Sequence, residues 1–586
     1  MTYLFNQPSA FASELIEGFV AANADKVRQV PGGVVRSTRS TPGSVAIVIG
    51  GGSGHYPAFS GLVGQGMAHG AAMGNLFASP SAQQIYNVAR AAENGGGVLL
   101  TFGNYAGDVL HFGQACERLK SEGIPCEVLA VTDDISSASL DEQEKRRGVA
   151  GDLAVFKAAA AAAEAGYSLD EVIRLARHAN HRTRSLGVAF SGCTLPGATH
   201  PLFEVAHGTM ALGMGIHGEP GISECAIPPA DTLADLFVES LLKECPQEIS
   251  QPRGQRVAVI LNGLGSVKYE ELFVVYRRVA QRLQEAGLEV VEPEVGEFVT
   301  SFNMAGASLT LVWLDQELET FWRAPANAPA FRKGSVIVAE ALSEAELIVQ
   351  EVDEVPAASK ASQRSAGCVL AVVNAIAQVI EENEEELGRI DAVAGDGDHG
   401  IGMMRGVKGA QEKAHEMQQR QAGAGTLLCR AADAWADKAG GTSGALWGVA
   451  LTAIGTALGD EDAPDAHRVA VGVQHAKEGI MHFGKAKPGD KTMVDVLVPF
   501  SEMLSARVQA GDSLADAWAA AAQQATLSAE ATAQLVPKMG RARPLAEKSM
   551  GTPDAGAVSL ALIVNKVLEQ LRQTTLANEG HLQETN

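Results

Sequence analysis

The sequence lacks the features that mark several common classes of protein. Its 46 Lys and Arg are outnumbered by 69 Asp and Glu, and the net charge of −23 would repel a nucleic acid. The seven cysteines stand singly, without a C-x-x-C pair, as is typical of reduced thiols in the cytoplasm. The N-terminus, MTYLFNQPSAFASELIEGF, lacks the apolar stretch of a secretory signal, and no apolar run approaches the roughly 18 residues of a membrane span. We therefore predict a cytoplasmic protein with no nucleic-acid partner and no membrane span.

What the sequence does contain is many glycines, 63 in 586 residues, and a repeated alternation of strands and helices. Apolar β-branched runs at Val45–Ile49, Gly97–Thr101 and Val128–Thr132 predict strands, and Ser81–Glu93 between two of them predicts a helix. This βαβ order predicts a largely parallel sheet with helices on both faces. Ligands of such sheets bind at the carboxyl ends of the strands, where the Gly-rich turns fall.

The chain is too long for one hydrophobic core, and its pattern changes twice. A second α/β unit is predicted to begin near Ser185. Residues 339–365 are acidic and then small and polar, which is typical of a linker. Beyond them strand patterns nearly vanish and about eight helices are predicted. We therefore expect an α/β half over 1–338, with subdomains of about 1–184 and 185–338, and an all-α domain over 366–580.

One acidic cluster in the C-terminal half indicates a metal site. Asp391, Asp396 and Asp398 fall within RIDAVAGDGDHG, where the interspersed glycines favour a tight loop over a continuous helix. Hard carboxylate oxygens suit Mg²⁺, which commonly bridges to nucleotide phosphates. An acidic surface turn is the other interpretation that this spacing leaves open. An EF-hand fits poorly, because no Glu closes the loop at its twelfth position.

A Gly-rich turn in the same half is a candidate phosphate site. In KAGGTSGALWG, Thr442 and Ser443 stand where a helix is predicted to begin, and free N–H groups at a helix start bind phosphate. Such turns are also common between helices without a ligand. The turn is not a Walker A loop, because no Lys-Ser/Thr pair follows its glycines.

Three Gly-flanked polar residues stand out in the N-terminal half. His55 ends GGGSGH directly after a predicted strand, and Asp108 ends GNYAGD after another predicted strand, so both are expected at one edge of the sheet. His217 lies within GMGIHGEPG. Each residue alone has a purely structural interpretation, but two His and one Asp on Gly-rich loops indicate a shared site. A dinucleotide loop is disfavoured, because the spacing is wrong and no acidic residue ends a second strand about 20 positions on.

Taken in order, GGGSGH, NYAGD, GMGIHGEPG, GDGDHG, GGTSG, PGDKTM and the late GRARPLAEKS with PDAGA make the chain similar to the dihydroxyacetone kinase family. The resemblance covers nearly the whole chain. It implies an N-terminal K domain of two α/β subdomains that binds a ketose. It also implies a C-terminal L domain, an eight-helix barrel that binds ATP and Mg²⁺.

The resemblance assigns a role to each candidate in the K domain. His217 matches the histidine that bonds covalently to the substrate carbonyl as a hemiaminal. Asp108 matches the group that accepts the proton of the reacting terminal hydroxyl, and His55 matches its hydrogen-bonding partner. The residues expected to line the substrate are Gly52, Ser53, Gly54 and Gly103.

In the L domain, Asp391, Asp396 and Asp398 match the Mg²⁺ ligands. Met493 is expected to pack on the adenine, and Arg541 is expected near the phosphates. The other expected nucleotide contacts are His399, Gly400, Ile401, Gly402, Thr442, Ser443, Gly484, Asp554, Ala555 and Gly556.

The family pattern also bears on the phosphoryl donor and the assembly. Fusion of both domains in one chain favours free ATP as donor, because relatives that take phosphate from a phosphotransferase system keep the domains as separate proteins. The family suggests a homodimer. FMN cyclase side activity occurs in some members, and nothing in this sequence bears on it.

Two departures from the family concern the substrate. Tyr56-Pro57 stands where dihydroxyacetone kinases usually have Glu-Pro, and Gly103 stands where they usually have a substrate-contacting Lys. Loss of the Lys side chain is expected to open space for a longer ketose, such as four-carbon erythrulose. The alternative is that Tyr56 replaces the lost group and the substrate stays dihydroxyacetone.

Two readings from other functional classes compete with a kinase. One is a non-catalytic protein that binds ketoses as a sensor. The other is a nicotinamide-dependent oxidoreductase. The absence of a ribose-binding acidic residue and the presence of the three aspartates both disfavour it.

Overall fold

The computed structural model describes residues 4–343, 355–393, 395, 397–539 and 549–584. The chain divides into two compact units, Met1–Gln350 and Glu351–Asn586. The first unit mixes sheets and helices and the second is helical, so the predicted fold class is confirmed. Residues 344–354 of the predicted linker lie outside the described residues. The first helix of the second unit begins at Lys360, inside that stretch, because the Ser359 hydroxyl caps it by accepting from the N–H of Ser362.

The first sheet of the α/β unit has six strands in the order β1-β2-β4-β3-β5-β6. The strands are β1 (Val27–Val30), β2 (Gly33–Arg36), β3 (Ala46–Ser53), β4 (Gly70–Leu76), β5 (Val98–Gly103) and β6 (Cys126–Val131). The accompanying helices are α1 (Phe11–Ala22), α2 (Ala82–Ala92), α3 (Ala106–Ser121), α4 (Asp152–Glu164) and α5 (Leu169–His181). Strands β4, β3, β5 and β6 pair in parallel, as predicted, while β1 and β2 add an antiparallel hairpin.

Burial explains why these segments form a parallel sheet. All eight residues of β3, AIVIGGGS, and all six of β5, VLLTFG, are buried, as expected of strands covered on both faces. Helix α4, rich in alanine, is buried at every position but its last. Because β3 and β5 are parallel neighbours, the loops that follow them emerge at the same edge.

The second sheet runs in the order β11-β10-β13-β7-β8-β9, with β12 paired to β10. Its strands are β7 (Thr183–Ala189), β8 (Thr209–Leu212), β9 (Ser223–Ala226), β10 (Arg256–Gly263), β11 (Glu289–Val290), β12 (Glu294–Gly296) and β13 (Gly306–Leu314). Helices α6 (Ala230–Lys243), α7 (Tyr269–Glu285) and α8 (Gln316–Arg323) accompany it, and β14 (Ala326–Asn327) pairs with β15 (Arg332–Lys333). The central pairs β10–β13, β13–β7 and β7–β8 are all antiparallel.

In its described part, the second unit has eight helices. They are α9 (Lys360–Asp391), α10 (His399–Gln419), α11 (Ala424–Ala439), α12 (Gly441–Leu458), α13 (Ala466–Gly484), α14 (Val494–Gln509), α15 (Leu514–Ala531) and α16 (Ala555–Glu584). Each helix packs on the next, and α16 packs on α9, so the ring closes. Stacked Trp435 and Trp447, with ring centroids 5.3 Å apart, join α11 and α12 in the core.

Helices α9 and α12 are long and apolar enough to cross a membrane by length and composition alone. Both also contribute to the core of the helical unit, α9 through Leu370 and Ile380 and α12 through Trp447 and Ala450. A buried core helix of a helical bundle passes the same test of composition. The absence of a membrane span therefore stays a prediction.

Candidate active site

The loop after β3 places His55 in a fully enclosed position. The ring is 1 % exposed and stacks on Phe77, with centroids 5.0 Å apart. Its Nδ1 lies 2.7 Å from the carbonyl oxygen of Thr300, which can only accept, so Nδ1 carries a proton. Burial, followed by the charge of His217, lowers the pKa of His55 to about 3. His55 is therefore neutral at physiological pH.

His217, from the second subdomain of the α/β unit, lies next to His55 from the first. The two Nε2 atoms lie 3.0 Å apart, although 162 positions separate the residues in the chain. The other side of the His217 ring faces Glu219: Nδ1 lies 3.1 Å from Oε1, and the backbone N–H of His217 donates to Oε2 at 3.0 Å. The ring of Tyr105 packs edge-on to His217 at 4.6 Å between centroids.

Glu219, beside Nδ1 of His217, is ionised. Burial alone would raise its pKa, but the charge of His217, the hydrogen bond from His217 and the charge of Arg147 outweigh burial and hold the pKa well below its ordinary value. Arg147 is itself held by Asp134, to whose Oδ2 its Nε donates at 3.0 Å.

These contacts determine where the protons of the histidine pair lie. An ionised Glu219 requires a proton on Nδ1 of His217, and Thr300 requires one on Nδ1 of His55. A third proton must lie between the two Nε2 atoms, so the pair carries one positive charge. Because burial lowers the pKa of His55, His55 is a poor holder of that charge.

Asp108 occupies the first turn of α3, at the same sheet edge. Its carboxyl is 6 % exposed, and burial raises its pKa to about 7, although a hydrogen bond with Ser79 opposes the shift. Within the described residues, Oδ1 of Asp108 has no hydrogen-bond partner. The expected bond between Asp108 and His55 is not made here, because Thr300 and His217 occupy both His55 nitrogens.

The loop residues expected to line the substrate have strict backbone roles. The Ser53 hydroxyl donates to the carbonyl of Gly74 at 2.6 Å, which ties the loop to β4. A Cβ at Gly52 would lie 2.8 Å from the backbone nitrogen of Ala78. Gly54 has φ of +103°, and a Cβ there would meet the Phe77 ring at 2.9 Å. These glycines let the loop approach its neighbours closely.

Gly103 does not open the space expected from the loss of a Lys. A Cβ at Gly103 would lie 3.2 Å from Oδ2 of Asp152 and 3.3 Å from the ring of Tyr105. The position beside Gly103 is thus filled by a carboxyl group and an aromatic ring, and the expectation of empty space was wrong.

Several residues of this site were not found from the sequence. Glu219 had a signal, since it stands two residues after His217 in the same Gly-rich loop. Tyr105 likewise lies between two motif residues. Thr300 and Arg147 had none, because they come from segments far along the chain.

At the start of α10, the helical unit gathers carboxylates. Asp391 ends α9 and Asp398 precedes α10, while Asp396 lies outside the described residues. Burial, and then the charge of Asp391, raise the pKa of Asp398 to about 6. Carboxylates that repel each other and offer hard oxygen donors fit Mg²⁺. The residues present therefore suit the metal that the sequence predicts.

The expected nucleotide contacts lie at one end of the helical ring. His399 at the start of α10 bonds through Nε2 to the Ser559 hydroxyl on α16 at 3.0 Å. Ser443, in the first turn of α12, donates to the sulfur of Met403 on α10 at 3.9 Å. A Cβ at Gly556 would lie 3.6 Å from Cβ of Met493, just before α14. The starts of four alternate helices therefore meet, and their free N–H groups suit phosphates.

The remaining nucleotide candidates agree with this placement, with one outside the described residues. Gly400, Ile401 and Gly402 lie in the first turn of α10, Thr442 in that of α12, and Asp554, Ala555 and Gly556 around the start of α16. Gly484 ends α13, where a Cβ would lie 3.3 Å from Leu446 on α12. Arg541 lies outside the described residues.

Comparison with known families agrees with both units. A Dak1 domain matches residues 17–330 and a DAK2 domain matches residues 393–569. The chain belongs to the dihydroxyacetone kinase family. The resemblance noted in the sequence is thereby confirmed.

Relatives of this kinase family match over nearly the whole chain. L-erythrulose kinase of Pectobacterium atrosepticum is 71 % identical over 99 % of this chain and 98 % of its own length. D-erythrulose kinase of Mycolicibacterium smegmatis is 53 % identical over 99 % of this chain and all of its own.

Two kinds of solved structure are similar to the chain. The dihydroxyacetone kinase of C. freundii in complex with AMP-PNP and Mg²⁺ is 30 % identical, with a TM-score of 0.51 over 97 % of this chain and 99 % of its own. The dihydroxyacetone kinase operon co-activator DhaQ is also 30 % identical, with a TM-score of 0.52, but covers only 55 % of this chain and 98 % of its own.

Proposed function

We propose that this kinase transfers the terminal phosphoryl group of ATP to the terminal hydroxyl of a short ketose, with erythrulose in its L form preferred over dihydroxyacetone. The observation that carries the reaction type is the His55–His217–Glu219 arrangement, which suits a covalent bond to a ketone. The preference for L-erythrulose rests on the 71 % identity to L-erythrulose kinase, against 53 % to D-erythrulose kinase.

In the proposed first step, the lone pair of His217 Nε2 attacks the carbonyl carbon of the ketose. The proton between the two Nε2 atoms moves to His55 and then to the carbonyl oxygen, as the C=O π bond breaks and the N–C bond forms. The positive charge of the pair stays on the alkylated ring of His217, where Glu219 balances it through Nδ1. Charge and protons are conserved, and His55 ends neutral.

The covalent bond would account for selectivity. Glycerol has no carbonyl group and cannot form the adduct, so only ketoses are fixed with their terminal hydroxyl in place. Asp108 is then the proposed base for that hydroxyl, because a carboxyl with a pKa of about 7 is half ionised at neutral pH. Its unpartnered Oδ1 is available to accept the proton.

We further propose that Asp391, Asp396 and Asp398 hold Mg²⁺ and that the helix starts around Thr442, Ser443 and Gly556 hold the phosphates. Bound Mg²⁺ supplies neutralisation of the phosphate charge during transfer. The AMP-PNP and Mg²⁺ in the C. freundii relative support these cofactors. The cytoplasmic location, the homodimer and the contacts of Arg541 and Met493 stay predictions.

The test is ADP release by the purified protein with ATP and Mg²⁺ against L-erythrulose, D-erythrulose, dihydroxyacetone and glycerol. We expect the highest kcat/KM with L-erythrulose and no turnover of glycerol. His217→Ala should turn over none of the ketoses. His200→Ala, an exposed loop histidine, is the matched control and should behave as the wild type. Turnover of glycerol, or full activity in His217→Ala, would refute the covalent mechanism; higher kcat/KM with dihydroxyacetone would refute the substrate assignment.

A further inference from the structure

Three buried carboxyl groups, those of Asp108, Asp133 and Asp152, lie close enough for the charges of the first two to act on the third. Their hydrogen bonding differs. Asp133 is satisfied: it accepts from the N–H groups of Val149 at 2.9 Å and Gly151 at 2.8 Å. Asp108 and Asp152 are 6 % and 2 % exposed, yet within the described residues Oδ1 of each has no hydrogen-bond partner. A group that binds there only in function could satisfy these two atoms.

Asp152 lies beside Gly103 and Gly148, close to the His55–His217 pair. Its Oδ2 would be 3.2 Å from a Cβ at Gly103, and its Oδ1 would be 2.8 Å from a Cβ at Gly148. Tyr105 links this place to His217, because its ring packs on His217 at 4.6 Å and its hydroxyl donates to the carbonyl of Gly148 at 3.0 Å. Asp152 is thus one aromatic ring away from the proposed nucleophile.

Without a bound ligand, the buried carboxyl of Asp152 lowers the stability of the folded protein. Burial, followed by the charges of Asp133 and Asp108, raises its pKa well above the ordinary value, and no hydrogen bond to its side chain opposes the shift. A hydroxyl group would satisfy Asp152 in either protonation state, since it donates to a carboxylate and accepts from a carboxylic acid.

We propose that Asp152 is a specificity-determining residue whose unpartnered Oδ1 hydrogen-bonds a hydroxyl that a four-carbon ketose has and dihydroxyacetone lacks. The inference rests on the proposed function, since it names the group that reads the length of the ketose. In this chain the carboxyl of Asp152 stands beside Gly103, so a side chain at position 103 would press on it.

The test compares kcat/KM for L-erythrulose and for dihydroxyacetone in the wild type, Asp152→Asn and Asp152→Ala. We expect Asp152→Ala to lower kcat/KM for L-erythrulose about 5- to 100-fold, as when a buried hydroxyl loses its hydrogen-bond partner, and that for dihydroxyacetone less than about threefold. Asp152→Asn keeps an acceptor oxygen and nearly the same volume, so it should retain more erythrulose activity than Asp152→Ala. Asp170→Asn, an exposed first-turn aspartate on α5, is the matched control.

A second readout separates binding from a structural role. Because Asp152→Ala removes an unpartnered buried carboxyl, its unfolding temperature should not fall below that of the wild type. An equal fall of kcat/KM for both ketoses, or no change in their ratio, would overturn the inference while leaving the proposed function intact. Absence of any ketose turnover in the wild type would instead reject the proposed function itself.

Discussion

Replacement of Glu219 by Gln is the sharpest test of the proton arrangement at the histidine pair. Gln keeps the size of the side chain and removes its charge. The carboxylate accepts from both the backbone N–H and the Nδ1–H of His217, whereas an amide has one acceptor oxygen and one donor group. If the amide NH₂ faces Nδ1, it donates there and leaves the proton of a neutral ring on Nε2, where the lone pair is needed for attack.

The size of the effect follows from what is lost. One hydrogen bond to a charged group contributes about 1.5–3 kcal/mol, which corresponds to roughly 10- to 150-fold in rate. Fixing the wrong tautomer costs more, about 10⁴-fold for the comparable Asp-to-Asn change in a serine protease triad. We therefore expect Glu219→Gln to lower kcat/KM for the preferred ketose at least about tenfold and at most about 10⁴-fold.

The assay must separate adduct formation from phosphoryl transfer. Ketose labelled with ¹³C at the carbonyl, added in excess of enzyme without ATP, should give an adduct resonance with the wild type and a much weaker one with Glu219→Gln. Glu224→Gln, an exposed change on the neighbouring hairpin, is the matched control and should give the wild-type signal. Wild-type kcat/KM together with a wild-type adduct signal in Glu219→Gln would refute the assignment of protons around His217.

Four further predictions concern the base, the metal and the loop. Because burial raises the pKa of Asp108 to about 7, wild-type kcat/KM should rise with pH and level off above about pH 7, and Asp108→Asn should lose both activity and this limb. With its raised pKa, the Asp108 carboxyl contributes stability to the folded state that is fully present below the ordinary carboxyl pKa and is lost as the pH rises through 7. Urea denaturation should therefore find Asp108→Asn more stable, relative to the wild type, at pH 8 than at pH 5; an equal difference at both pH values would contradict the shift. Asp398→Asn should raise the Mg²⁺ concentration for half-maximal rate at least about tenfold without changing the ketose adduct signal, since such a loss is typical of a weakened metal site; an unchanged Mg²⁺ requirement would exclude Asp398 as a ligand. Gly54→Ala, strained at positive φ and pressed on Phe77, should weaken the adduct signal and lower the free energy of unfolding by about 1–2 kcal/mol, and a wild-type signal would show that the loop tolerates a side chain.

Much of the first sheet could be predicted because its signals are local. The run Val45–Ile49 is apolar and β-branched and ends in glycines, and the strand Ala46–Ser53 forms there, extending into the glycines themselves. For the second sheet, only the start of its α/β unit near Ser185 was predicted. Its antiparallel order depends on pairing between strands far apart, such as Arg256 with Leu314, which no local pattern encodes.

The site was predicted in part, and for a different reason. Spacing after strands places His55 and Asp108 at one edge of the sheet. It cannot bring His217 or Thr300 to His55 over separations of 162 and 245 residues, and the role of His217 came from the family resemblance alone. Asp152 was missed because nothing in GDLAVFK shows that its carboxyl is buried without a partner; that depends on how α4 packs beside β5.

The helical unit argues against a protein that only senses ketoses. DhaQ, a co-activator, is similar over 55 % of this chain, whereas this chain continues into a DAK2 domain. In that domain burial raises the pKa of Asp554 to about 7, with Asp391 and Asp495 adding repulsion, and Asp398 is raised to about 6. Carboxyl groups that repel each other lower stability unless a cation neutralises them. That arrangement suits the Mg²⁺ and ATP phosphates that we propose for this unit, and a protein that only senses ketoses would have no use for it.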